Sequence, residues 1–346
     1  MKAVVLRRPG DVAVEELPDP QLHDEGDAIV AVSAAAICGA DLFPFHGLTP
    51  GFENGTILGH EFAGVMVDTG PEVRRLRPGQ RVANASMISD GTCAHCRAGR
   101  VTQCEGRALF GYSGVYPRLD GGQAELVRVP HADRALFALP DDVSDDAAVF
   151  LADILPTGYA AAYRGGVRIG DVVGVVGCGP VGLMAILCAT GSAGQVIGID
   201  AVADRRALAE RLGSAAVAPE EAEHAVAEAT GGLGADVVIE AAGTAPALDL
   251  ALRLARGRGA VSVVGAHFEP DYPLDNARMF ERELTVRFTI GDPTRDGERL
   301  LALVASGRLD PTPVLSHRLP LESAAEAYRL FDAREAVKVL LRPNPS

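Results

Sequence analysis

One stretch restricts the fold more than any other. Val172-Val173-Gly174-Val175-Val176 is a continuous apolar run, Gly177-Cys178-Gly179-Pro180-Val181-Gly182 follows it, and Leu183–Ala189 reads as a helix. Strand, glycine turn and helix in immediate succession is the context in which a glycine pattern binds a dinucleotide. Gly177 permits the tight turn. Gly179 lets a pyrophosphate approach the backbone, with Pro180 and Val181 opening the helix, and Gly182 lets helix and strand pack closely. The phosphates meet the positive end of the helix dipole. A second apolar run, Val196-Ile197-Gly198-Ile199, ends at Asp200. An acid about 20 residues past the loop is placed to hold the adenosine ribose hydroxyls. Its charge repels a 2′-phosphate and favours NAD over NADP. Arg205 stands nearby to flank the adenine or to tolerate a phosphate.

Such a loop demands a doubly wound parallel sheet around it. From Asp171 to about Gly265, apolar runs (Val172–Val176, Val196–Ile199, Val237–Ile239, Ala260–Val264) alternate with helical periods (Pro180–Thr190, Ala203–Leu212, Glu220–Ala229, Pro246–Ala255). Runs of this kind are buried on both faces. The flanking sequence differs. Short alternating runs separated by turn clusters such as Arg77-Pro78-Gly79-Gln80 predict a partly closed β domain with long loops. The expected fold class is therefore α/β, a β domain with a Rossmann domain inserted into it. The expected divisions are 1–153 and 289–346 for the first and 154–288 for the second. Ser144 reads as the N-cap of a helix opening with Asp145 and Asp146. A chain of 346 residues has room for both cores.

The net charge of −14, with no Lys/Arg block, argues against nucleic acid and anionic membrane surfaces as partners. No apolar run reaches transmembrane length, and Met1–Leu6 lacks the apolar core of a signal peptide. Six cysteines, three of them clustered, point to metal ligands in a reducing compartment, so a cytoplasmic location is expected.

Metal chemistry is read from three segments. Gly59-His60-Glu61 places an imidazole and a carboxylate side by side in an apolar run, where they need a partner. Cys38 ends an apolar strand. Asp153 lies in Phe150–Gly158, too apolar for an unpaired charge. Cys38, His60 and Asp153 make a three-ligand zinc set with an open position, as catalytic sites require. Separately, Asp90-x-x-Cys93-x-x-Cys96 with Cys104 downstream has the spacing of a closed structural zinc site. Asp90 stands where a fourth sulfur is expected, with His95 or a water as the alternative ligand. Cys178 and Cys188 read as small packing residues.

Taken together, these landmarks resemble the zinc-dependent medium-chain alcohol dehydrogenases, secondary-alcohol and polyol-like branch. The resemblance spans the chain: Cys38-Gly39-Ala40-Asp41, Gly59-His60-Glu61, Cys93/Cys96/Cys104, Gly121-Gly122-Gln123-Ala124-Glu125, Asp153 with Thr157-Gly158, the glycine loop with Asp200, and Lys338-Val339-Leu340. It implies a GroES-like catalytic domain and hydride transfer between an alcohol and NAD(P), with zinc lowering the pKa of the substrate hydroxyl. It implies Glu61 as an occasional direct zinc ligand, Thr157 against the nicotinamide and Lys338 at the pyrophosphate. It also implies a homodimer or homotetramer.

The pattern breaks at two positions. The family's relay hydroxyl two residues after the first cysteine is here Ala40. Its later loop histidine is here Phe43, followed by Phe45 and His46. His46, or a water on it, is the candidate proton carrier, against a solvent-facing histidine. Phe43 and Phe45 make the pocket mouth apolar, suited to a bulky alcohol, or else fill the core. The missing hydroxyl keeps a second activity open, reduction of an activated C=C bond.

Overall fold

The computed structural model describes residues 1–267 and 271–344. Two compact units divide the chain: Met1–Asp153 with Asp292–Ser346, and Ile154–Gly291. The second boundary falls three residues beyond the expected 288. The reason is local: the Thr289 N–H still donates to Val263 O, and a Cβ at Gly291 would lie 2.2 Å from Thr157 Oγ1, inside the second unit.

The first unit is built on a seven-stranded sheet. The path runs His317–Pro320, Val339–Arg342, Ala28–Ile37, Glu61–Thr69, Arg81–Asn84, Leu136–Ala138, and Leu126–Val129 also pairs with Ala28–Ile37. All neighbours are antiparallel except the first pair. Ala28–Ile37 is the hub. It pairs along its length with Glu61–Thr69, and its Ala35–Ile37 end pairs with Val339–Leu341. One core packs Val30, Val32, Phe62, Phe110 and Val127; a second packs Leu6, Ile37, Leu58, Tyr328 and Val339. Just before Leu126–Val129, Ala124 makes an isolated bridge to Ala3. Gln123 is fully buried, accepting from Tyr328 Oη at 2.9 Å. Ser144 caps its helix as expected, with Oγ 3.2 Å from Ala147 N.

The second unit begins with α1 (Ile154–Gly165), then β1 (Val172–Val176), α2 (Pro180–Thr190), β2 (Gln195–Ile199), α3 (Ala203–Arg211) and β3 (Ala215–Val217). It continues with α4 (Ala222–Thr230), β4 (Ala235–Glu240), α5 (Ala245–Leu254), β5 (Ala255–Val263) and β6 (Thr285–Phe288). The sheet is parallel throughout, in the order β3-β2-β1-β4-β5-β6. That is the strand order of a dinucleotide-binding sheet. The apolar runs of β1, β2, β4 and β5 supply its core. Neither α1 nor the short β3 stands out in sequence. α1 is buried at eight of its twelve positions, with Tyr163 exposed.

No helix among the described residues is long and apolar enough to cross a membrane.

Candidate functional site

Three adjacent strands of the first unit converge at one end. Register pairs Ala36 with Glu61 and Ile37 with Val339, so Cys38, His60, Glu61 and Lys338 gather where these strands meet. Gly59 turns the chain into His60 with φ +97°, and a Cβ there would lie 2.4 Å from Gln123 Cγ. Asp153 follows a 3-10 turn, Val149–Ala152, tied to the sheet side by Ser86 N donating to Ala152 O at 2.9 Å.

The structure brings Cys38, His60, Glu61 and Asp153 together. One donor atom from each lies within 4.8 Å of all the others. Cys38 Sγ is 3.6 Å and His60 Nε2 3.3 Å from Asp153 Oδ2. Tetrahedral zinc with bonds of about 2.0–2.3 Å has ligand–ligand edges of roughly 3.3–3.8 Å. His60 Nε2 and Glu61 Oε1 are buried with no hydrogen-bond partner. A buried polar atom left so costs about 1–3 kcal/mol. The donor set and its two orphaned atoms fit a divalent metal.

The surroundings prepare the donors. His60 Nδ1 is 3.0 Å from Asp41 Oδ1, and the Cys38 backbone N–H donates to Asp41 Oδ2 at 2.9 Å. With the Nδ1 proton given to Asp41, the Nε2 lone pair faces the cluster. Burial alone would lower the His60 pKa, but Asp41, the Cys38 sulfur and Asp153 raise it well above the usual value. Burial pushes the Cys38 thiol up, with the Glu61 charge adding to it, and Lys338 pulls the other way. Burial likewise raises Glu61 against the opposing pull of Lys338. A bound cation inverts this balance and takes the thiol as thiolate.

Asp41 is the residue that sequence reasoning missed, although it stands three residues after Cys38 in a quoted landmark. Its carboxylate is fully buried, a signal invisible without the fold. Tyr112 was missed as well. Its hydroxyl donates to the Ala40 carbonyl, and its ring stands edge-on to His60, centroids 6.5 Å apart. Burial and the nearby Asp41 charge push its phenol above the ordinary range.

Lys338 is fully buried in the first unit with its ammonium on Glu61. The strand pairing of Val339 with Ile37 forces this position. His46 does not join the cluster: its Nε2 lies 2.8 Å from Asp332 Oδ1 on the surface, both side chains more than a third exposed. Phe45 packs into the core with its ring 5.6 Å from Tyr328, a core filler rather than a pocket mouth.

A second cluster lies on a loop. Asp90, Cys93, Cys96 and Cys104 likewise offer donor atoms within 4.8 Å of one another, and all are free of disulfides. Asp90 Oδ1 accepts from the N–H groups of Thr92 (2.6 Å) and Cys93 (2.9 Å). That turn leaves Oδ2 directed at the sulfurs, 3.1 Å from Cys104 Sγ. The backbone N–H of Cys93, then the Cys104 thiol, hold the Asp90 carboxyl far below the carboxylate range. Cys93 is lowered, mainly by the Cys96 N–H, while burial pushes Cys104 up to about 12. Three thiols and a carboxylate suit a closed zinc site. His95, on the Ala94–Arg97 turn, is outside the cluster.

In the second unit the glycine loop has the expected form. Gly177 has φ +95°, Gly179 caps α2 with Pro180 at its start and Val181 next, and a Cβ on Gly182 would lie 1.8 Å from Gly177 O. Asp200 ends β2, its oxygens accepting from Cys178 N and Val202 N at 2.8 Å each. Arg205 Nη1 is 3.9 Å from Asp200 Oδ2. Thr157 lies on the first turn of α1. Cys178 is fully buried against β2, and burial pushes its thiol up to about 12.

A unit that can hold a metal through sulfur, nitrogen and oxygen, and a unit with a dinucleotide loop, together define a metal-dependent nicotinamide oxidoreductase. The comparisons narrow this. Residues 24–141 match the alcohol dehydrogenase GroES-like domain, and residues 180–306 match the zinc-binding dehydrogenase domain. A probable zinc-binding alcohol dehydrogenase of Mycobacterium tuberculosis is 38% identical, covering 99% of this chain and 89% of its own. The solved alcohol dehydrogenase from Thermus sp. ATN1 is 40% identical over 99% of both chains, with a TM-score of 0.95. A putative zinc-binding dehydrogenase from Sinorhizobium meliloti, solved bound to NADP, is 32% identical over 99% of both chains, TM-score 0.87. The chain belongs to the zinc-dependent medium-chain alcohol dehydrogenases, and it is an oxidoreductase of that family.

Proposed function

We propose that the protein interconverts secondary or bulky apolar alcohols and their ketones or aldehydes, with NAD in preference to NADP. The observation that carries this reading is the set Cys38, His60, Asp153 and Glu61, three of them buried, with one donor atom of each within 4.8 Å of the others and with His60 Nε2 and Glu61 Oε1 left without a hydrogen bond. Cys38, His60 and Asp153 would hold a zinc whose chemistry is Lewis acidity toward an alcohol oxygen, and a bound nicotinamide would serve as the hydride acceptor or donor. The chain's own residues do the rest. Cys38, His60 and Asp153 are the holding set, leaving a position for substrate. Asp41 holds the His60 ring in the tautomer that offers Nε2. Glu61, balanced by Lys338, stands by as an exchangeable donor. Thr157 is assigned to the nicotinamide and Asp200 to the adenosine ribose, where its carboxylate disfavours a 2′-phosphate. Asp90, Cys93, Cys96 and Cys104 are assigned to a structural zinc.

The test is a cofactor-reduction screen over primary, secondary, polyol and aromatic alcohols with NAD and with NADP, alongside metal analysis. Secondary alcohols with NAD, and about two zincs per chain, support the reading. A second reading, reduction of an activated C=C bond, is favoured by one observation: position 40 has no hydroxyl, and its carbonyl is engaged by Tyr112. Turnover of enones but not ketones with NADH would establish it. Assembly as a homodimer or homotetramer is supported by β6, an edge strand exposed at all four residues and carrying Phe288.

A further inference from the structure

The last residue of β4 is a carboxylate for which the hydride chemistry has no use. Glu240 is fully buried. Its Oε1 accepts from the N–H groups of Ala242 (2.9 Å) and Gly243 (2.7 Å), and its Oε2 lies 2.9 Å from His267 Nε2. Its backbone carbonyl accepts from Val264 N (2.8 Å) and Gly265 N (3.0 Å). One residue therefore ties the turn after β4 to the turn after β5. The two turns touch: a Cβ on Gly243 would lie 2.7 Å from Ala266 O, and one on Gly265 2.3 Å from Gly243 N. The turn after β4 also closes on the glycine loop, since a Cβ on Gly177 would lie 2.8 Å from Ala242 N.

The location gives these contacts a meaning. The strand order reverses between β1 and β4. In sheets of this topology a dinucleotide lies outside the carboxyl ends of the strands, one mononucleotide to each side of the reversal. The glycine loop and Asp200 belong to the β1–β2 side and take adenosine and pyrophosphate. The turns that Glu240 joins belong to the other side, where the nicotinamide mononucleotide rests. A buried carboxylate is costly unless its acceptor capacity is filled, and here two N–H groups of the turn after β4 and the His267 ring fill it, while the turn after β5 is held by the Glu240 backbone carbonyl.

We propose that Glu240 is the positioning residue for the nicotinamide half of the cofactor: by fixing the turns after β4 and β5, and the His267 ring between them, it sets the surface that half lies on. This rests on the nicotinamide-dependent reading above. It acts through backbone and His267, not by touching the reacting carbon.

The test measures binding of NADH and of ADP separately, by calorimetry on the full chain, for the wild type, Glu240→Ala, Glu240→Gln and His267→Ala. ADP carries the adenosine and pyrophosphate but no nicotinamide. In Glu240→Ala the buried donors lose their acceptor, and NADH affinity falls about tenfold. ADP affinity changes by less than about twofold, below the loss of one hydrogen bond. Glu240→Gln keeps an oxygen for Ala242 and Gly243 and shows a smaller loss with the same split. His267→Ala, at a partly exposed ring, loses NADH affinity alone. Equal losses for the two ligands, or unchanged NADH affinity in all three variants, overturn the proposal. If Glu240→Ala does not fold, the other two variants decide by the same split. A wild type that binds neither ligand fails the nicotinamide reading itself, an outcome distinct from a missing split.

Discussion

The loop cluster takes all four donors from residues 90–104, whereas the buried cluster draws on segments as distant as Cys38 and Asp153. The loop needs little beyond itself: an aspartate turn on Thr92 and Cys93, and a cysteine-capped helical turn, Ala94–Arg97, put the sulfurs in place. The buried cluster exists only once three strands are in register and the Val149–Ala152 turn has docked. The loop's acid has one oxygen filled by backbone donors. The metal-ready set retains two buried polar atoms, His60 Nε2 and Glu61 Oε1, that make no hydrogen bond. A site that must bind and release substrate keeps donors in reserve, and one that only has to hold a lobe closed fills its coordination.

That contrast can be broken most directly at Cys38. Cys38→Ser should lower turnover by about a thousandfold or more, the order of effect expected when Lewis-acid stabilisation of several kcal/mol is lost. Metal analysis should then show one zinc rather than two, with the loop zinc retained. Loss of both zincs would mean that the clusters depend on each other. The next effect in size is Asp41→Asn, which preserves shape but weakens the grip on His60 Nδ1. A partner of a metal-binding histidine is worth about 10–100-fold in metal affinity or activity. Competition with a chelator should show the buried metal leaving more readily while the loop metal does not.

The same contrast explains what could be read in advance. The cysteine triplet and the glycine loop are local, so spacing alone exposes them; Gly177 takes the positive φ of the tight turn and Gly182 the close approach to it. No local spacing links Cys38, His60 and Asp153; they read as a set because each is a ligating side chain in an apolar segment, and the family resemblance then supports the grouping. The contacts of Lys338 are not legible in the sequence because strand register sets them: Val339 opposite Ile37 delivers its ammonium to Glu61, and Asp41 meets His60 only once the strands have brought the two segments together. His46 misled for the converse reason. Its nearness to Cys38 in sequence is undone by the turn Leu42–Phe45, whose capping residue His46 meets Asp332 from the C-terminal segment.

Tyr112→Phe probes the position where the family relay is missing. The change removes one of two donors to the half-buried Ala40 carbonyl, which still accepts from Leu42 N, costing about 0.5–1.5 kcal/mol of stability. Activity should fall modestly, because the loop carrying Cys38 loosens. Thermal unfolding and turnover together separate these effects. Asp90→Asn should go the other way: the turn on Thr92 and Cys93 survives, the loop zinc becomes removable by a mild chelator, and turnover under zinc-replete conditions stays near that of the wild type.

The smallest effect belongs to His46→Ala, and it sharpens the comparison by marking the edge of the buried site. The ring is 44% exposed and paired with an Asp332 side chain that is 38% exposed. Pairs of this kind contribute about 0–1 kcal/mol. Neither residue reaches the four-donor set, so kcat/KM and its pH profile should match the wild type, with at most a slight drop in thermal stability. A shifted pH profile with unchanged stability would restore His46 as the proton carrier. It would also mean that the Leu42–Phe45 turn rearranges when substrate binds, because the ring would have to leave Asp332 to act.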